Sequence, residues 1–146
     1  MTILTTGVFD LGMHVGHFLF LMECKKLAGE NGRLIVGVNS DWSVEQYKRK
    51  PVFDQFERVH AVEQLPFVDD VFQINSEEDI KRTIEVDKVD YYVKGAEWAG
   101  KTVTGSNLCT VIFLNPIGSY YTDKISTTNI IKRVHEYHQT NQADNK

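Results

Sequence analysis

The chain has 146 residues, 42% of them hydrophobic and 11% aromatic, enough for one packed core and too few for two comfortable domains. A net charge of -4 argues against a nucleic-acid binder, which needs a basic face. No apolar run approaches a membrane span, the opening MTILTT lacks the charged region of a signal peptide, and Cys24 and Cys109 form no paired motif. A cytoplasmic chain with reduced cysteines is expected.

TILTTGV (2–8) is rich in β-branched residues and predicts a first strand. HFLFLMECKKLAGENG then carries Phe18, Leu21, Met22 and Leu27 at helical spacing and stops at Gly29 and Asn31-Gly32. RLIVGVNS (33–40) is apolar without alternation, as suits a strand buried on both faces of a parallel sheet. Residues 41–53 predict a loop, with Lys48-Arg49-Lys50 ahead of Pro51. DQFERVHAVEQL (54–65) predicts a helix capped by Asp54, DDVFQI (69–74) a strand and SEEDIKRTIEV (76–86) a capped helix. VDYYVKG (89–95) and LCTVIFL (108–114) predict strands either side of a polar loop, and STTNIIKRVHEYH (126–138) the closing helix. The domain is expected over 1–138, with QTNQADNK (139–146) too polar to pack and left as a flexible tail.

Strand and helix thus alternate from end to end. That order predicts an α/β fold: a Rossmann-like open parallel sheet of about five strands with helices on both faces. Ligands bind such sheets beyond the carboxyl ends of the strands, where strand order reverses. The segments to search are 7–17, 40–53, 94–107 and 115–128.

Gly7 ends the first strand where a side chain would obstruct a ligand approaching the backbone. His14 and His17, three apart, project from one side of the first helical turn, beside unpaired N–H groups and the positive end of the helix dipole. Imidazoles so placed can donate to oxygens that gain charge in a transition state, and Gly16 between them leaves room for a base or a phosphate. A plain helix start and a zinc site are the competing readings, the latter weakened by the lack of further ligands nearby. The basic run 48–50 reads either as a solvated loop or as a cation that closes over phosphates. Ser126-Thr127-Thr128 reads as a helix cap or a phosphate grip. Trp98 reads as packing or as a pocket wall.

GVFDLGMHVGH resembles the HxGH signature of the cytidylyltransferase-like nucleotidyltransferases, a family that includes glycerol-3-phosphate cytidylyltransferase and the heptose-1-phosphate adenylyltransferases. VNSD (38–41), Lys48, ERVHAVEQLPFVDDVF (57–72), VKGAEWAGK (93–101) and ISTT (125–128) follow in family order, so the resemblance covers residues 3 to 135. It implies attack of a phosphorylated small molecule on the α-phosphate of CTP or ATP, with Mg²⁺ and loss of pyrophosphate. His14, His17 and Lys48 would be catalytic. Gly7, Val8, Phe9 and Gly16 would bind the nucleotide from the first turn, Lys94 and Gly95 from the fourth strand, and Ile125, Ser126, Thr127 and Thr128 from the last helix. Arg58, Trp98 and Lys124 would contact the substrate, no residue is assigned as a metal ligand, and a homodimer is expected.

The chain departs from the cytidylyltransferase pattern RTEGISTT, carrying YTDKISTT with Tyr121 and Lys124 in place of the arginine and the glycine. Its stand-alone length and tryptophan loop favour CMP transfer to a polyol or sugar phosphate such as glycerol 3-phosphate. CMP transfer is the favoured reading; VKG and STTNIIKR resemble the heptose adenylyltransferases and make an adenylyltransferase acting on a heptose-1-phosphate type of acceptor the alternative. A non-catalytic nucleotide-binding domain is the reading from another class. A dinucleotide-binding dehydrogenase is excluded because no GxGxxG follows the first strand.

Overall fold

The computed structural model describes residues 1–115 and 125–144. In chain order the elements are β1 (Thr2–Gly7), α1 (Val15–Ala28), β2 (Arg33–Asn39), α2 (Asp41–Glu45), α3 (Gln55–Glu63), β3 (Asp70–Ile74), α4 (Glu77–Val86), β4 (Tyr91–Gly95), β5 (Thr110–Leu114) and α5 (Thr127–Asp144). Single 3-10 turns follow β1 at Asp10–Gly12 and β4 at Ala96–Trp98. All five strands pair in parallel, in the order β3-β2-β1-β4-β5. The architecture is the Rossmann-like α/β sheet that the alternating pattern predicts.

The two faces of the sheet are packed differently. On one, Ile3, Val36 and Val93 meet Leu21 and Cys24 of α1 and Val62 of α3. On the other, Leu4, Ile35 and Tyr92 meet Ile80 and Ile84 of α4. Alternation along each strand assigns neighbouring side chains to opposite faces. Strand order reverses between β1 and β4, which opens a crevice at their carboxyl ends, the place where sheets of this kind generally bind ligands.

Two elements differ from their predicted form. Residues 41–45, predicted as loop, form α2, whose start is capped by Ser40: its Oγ accepts from the Ser43 N–H at 3.2 Å. The last helix runs to Asp144, beyond the predicted end at 138, and Lys132 to Thr140 are exposed on every side. Among the described residues no helix is long and apolar enough to cross a membrane.

Candidate active site

The turn from β1 into α1 is held in an uncommon backbone form. Phe9, Leu11 and Met13 adopt positive φ (53°, 61° and 76°), as does Gly12. Such residues cost of order 1–3 kcal/mol each and persist only where neighbours over-determine them. Asp10 is the chief neighbour. Nearly buried, its carboxylate accepts from the N–H groups of Leu11 (2.8 Å), Val52 (2.8 Å) and Phe53 (2.9 Å), and Arg49 stands 3.6 Å away. Burial alone would raise its pKa, but the three backbone donors and Arg49 outweigh that and lower it. Asp10 therefore ties the histidine turn to the far end of the loop that carries Lys48.

His14 is the N-cap of α1, and its Nδ1 accepts from the Gly16 N–H at 3.1 Å. His17 Nδ1 accepts from the His14 N–H at 3.3 Å. The rings stack with centroids 3.8 Å apart at 22°. The hydrogen-bond network thus assigns each neutral ring its proton at Nε2, and both rings line the cleft with that donor unused. Burial pushes the His17 pKa down to about 3, with the charges of His14 and Lys48 adding and Asp10 opposing; burial lowers His14 as well. Both rings are therefore neutral donors at neutral pH. A Cβ on Gly16 would stand 2.9 Å from the His14 ring, so the glycine makes room for that imidazole. Gly7 likewise makes room for the Phe9 ring, 3.0 Å from where its Cβ would be, and Phe9 meets His17 edge-on at 5.3 Å.

The carbonyl oxygen of Ile125 lies 3.5 Å from the same Cβ position on Gly16. The start of α5 therefore abuts the start of α1, and two positive helix ends converge beside the histidines. Ser126 Oγ accepts from the Asn129 N–H at 3.1 Å, which makes it a cap, while Thr127 and Thr128 line the cleft with it. On the far side, Lys94 at the end of β4 donates to Thr6 Oγ1 at 3.1 Å and sits 4.1 Å above the Trp98 ring. Burial lowers its pKa to about 8; Glu97 raises it and Lys48 lowers it further. Lys48 lines the same cleft, and its charge acts on both His17 and Lys94. The whole cleft encloses about 1390 Å³, more than the roughly 300–1,000 Å³ that houses one ligand.

Residues 4–133 match the family model described as cytidylyltransferase-like. The chain belongs to the cytidylyltransferase-like family. The bifunctional protein HldE of Campylobacter fetus is 37% identical over 90% of this chain, and the FAD synthase of Methanothermus fervidus 37% identical over 64% of it. The chain spans 27% of the first protein and 63% of the second. A crystal structure of the lipopolysaccharide core biosynthesis protein from Thermoplasma volcanium superposes with a TM-score of 0.65 at 25% identity, covering 81% of this chain and 98% of that one.

This cytidylyltransferase-like chain gathers most of its expected site residues in one cleft. Gly7, Val8, Phe9, His14, Gly16, His17, Lys48, Lys94, Gly95, Trp98 and residues 125–128 all line it. Arg58, an expected substrate contact, does not line it. It is fully buried, donating to the carbonyls of Phe53 (2.9 Å), Val8 (2.8 Å) and Asn39 (2.6 Å) and to Asp41 at 2.7 Å. Lys124 and Tyr121 lie outside the described residues. Sequence reasoning missed Thr6, Tyr92, Trp42 and Tyr47 as cleft residues. Trp42, 63% exposed on α2, was the one with a signal: a tryptophan in a polar stretch leaving a strand end.

Proposed function

We propose that this chain transfers a nucleotidyl group from a nucleoside triphosphate to the phosphate of a small acceptor. An acceptor phosphate oxygen forms a bond to the α-phosphorus, the bond from that phosphorus to the bridging oxygen breaks, and pyrophosphate leaves. The observation that carries the reading is that one cleft is lined by two stacked neutral imidazoles, two abutting helix starts and Lys48. Phosphoryl chemistry needs little beyond such positioned charge and hydrogen bonding. The imidazoles donate to α-phosphate oxygens as charge builds, and the starts of α1 and α5 hold the departing phosphates.

Among the described residues no cluster of three or more His, Cys, Asp or Glu could cage a metal ion, and both Asp10 oxygens already accept N–H groups. That donor set fits Mg²⁺ carried in on the triphosphate, where it would neutralise phosphate charge without a protein cage.

ATP with a sugar phosphate is the favoured pair, because FAD synthase and HldE are the relatives whose chemistry is adenylyl transfer. CTP with glycerol 3-phosphate is the second reading, favoured by the EWAGK loop at 97–101. The test is pyrophosphate release in a matrix of ATP, CTP, GTP and UTP against sugar phosphates, glycerol 3-phosphate and FMN, with Mg²⁺ and with excess chelator. Release with one donor and one acceptor, abolished by chelation, is expected. Tight nucleotide binding without release from any pair would make the chain a non-catalytic nucleotide-binding domain.

Lys48→Ala is expected to lower kcat far more than nucleotide affinity, since the loop cation acts on charge that develops during transfer. Lys48→Arg should rescue in part only, because a planar fork does not replace a compact ammonium. A few-fold loss in both parameters would return Lys48 to a solvated loop.

A further inference from the structure

Among the described residues three charged side chains are buried: Asp10, Arg58 and Lys94. Asp10 accepts three backbone N–H groups and Arg58 donates to four oxygens. Lys94 differs. It is 8% exposed, and its only hydrogen bond is to the neutral Thr6 hydroxyl. No carboxylate of the described residues stands within ion-pair distance, Glu97 favours the ammonium only from beyond it, and the Trp98 ring closes one side at 4.1 Å. A buried ammonium with donors to spare, in the wall of a cleft, awaits an anion.

Its position says which anion. Tyr92 packs on the α4 face of the sheet, and Lys94, two residues on, shares that face, as its bond to Thr6 beside Leu4 requires. The histidines and the start of α5 belong to the side that α1 covers. Attacking and leaving oxygens lie roughly in line across the transferred phosphorus. With pyrophosphate held at the α1 and α5 starts, the attacker must come from across the β1 end, where Lys94 is. We infer that Lys94 anchors the phosphate monoester of the acceptor, in a subsite on the α4 side of the crevice distinct from the nucleotide phosphates. This rests on the proposed transfer reaction, and it moves Lys94 from the nucleotide-binding role that family resemblance implies.

The test is titration calorimetry on the full chain and on Lys94→Met. Inorganic phosphate, glycerol 3-phosphate and glucose 1-phosphate are titrated as monoester probes, and ATP and CTP with Mg²⁺ separately. A charge-assisted contact is worth roughly 10- to 100-fold in affinity. Lys94→Met is expected to lose about that much for the monoester that binds wild type, and less than about threefold for the nucleotide. Its melting temperature should rise, because a methionine removes a buried charge that has no ion pair. Lys94→Gln takes the same measurements should the methionine variant fail to fold.

Equal losses for monoester and nucleotide would put Lys94 back in the nucleotide site. Monoester binding that ignores the substitution, or no monoester binding to wild type at millimolar concentration, would end the proposal. Failure of the transfer reading looks different: monoester binding would still depend on Lys94 while no pyrophosphate is released.

Discussion

Replacing His17 by alanine is expected to lower kcat by about 10²- to 10³-fold, the cost of one preorganised donor at a developing oxyanion, or roughly 2.7–4 kcal/mol. The substitution removes two things at once: the Nε2–H that faces the cleft and the Nδ1 that accepts the His14 N–H. His17→Asn separates them, since its amide can still cap the helix start. Turnover should remain low in both variants, whereas thermal stability should recover in the asparagine form. If either folded variant keeps more than a third of wild-type kcat, His17 is a helix cap and not a catalytic residue. The pH dependence has a defined sign. With its folded pKa pushed from 6.5 down to about 3, the buried ring resists protonation that the unfolded chain accepts. Its contribution to stability is present above pH 6.5 and is lost progressively as pH falls from there towards 3.

Arg58→Met is expected to cost about 3 kcal/mol of stability, near the low end for removing one partner of a buried pair because Asp41 keeps some water. The guanidinium ties together the carbonyls of Val8 after β1, Asn39 at the end of β2 and Phe53 ahead of α3. Without it those carbonyls lose their donor in a dry place, and Asp41 loses its ion pair. Lysine restores a charge and one contact at most, so Arg58→Lys should recover a minor part. Urea unfolding of the two variants checks this. A loss under about 1 kcal/mol, accompanied by collapse of kcat, would instead return Arg58 to the substrate.

What the sequence made legible was whatever its local chemistry determines. The run at β2 is apolar without alternation because both faces of that strand are covered, and its Leu34 and Val36 duly fall fully buried. The histidine pair was legible because three-residue spacing on a helix start is a local fact. α2 was not, since five residues with Val44 alone buried carry no periodicity to read. Arg58 misled because a charged residue on a helix is ordinarily exposed, and its burial is decided by carbonyls 50 and 19 residues away. The bonds of Asp10 to Val52 and Phe53 span 42 and 43 residues and leave no local trace.

The strand order has a consequence for how the chain is made. β1, the first of the five strands in chain order, becomes the middle of the sheet, and β2 pairs one of its edges after a single crossover. The other edge waits for β4, whose contacts with it, such as Thr5 Oγ1 to the Val93 carbonyl, span 88 residues. Until then Ile3 and Leu4 sit on an open, apolar strand edge of the kind that recruits other chains. Loop closure over that distance must be met before the pairing rewards it. The seam from which the crevice opens is therefore also the one that joins the partner strands most distant in sequence.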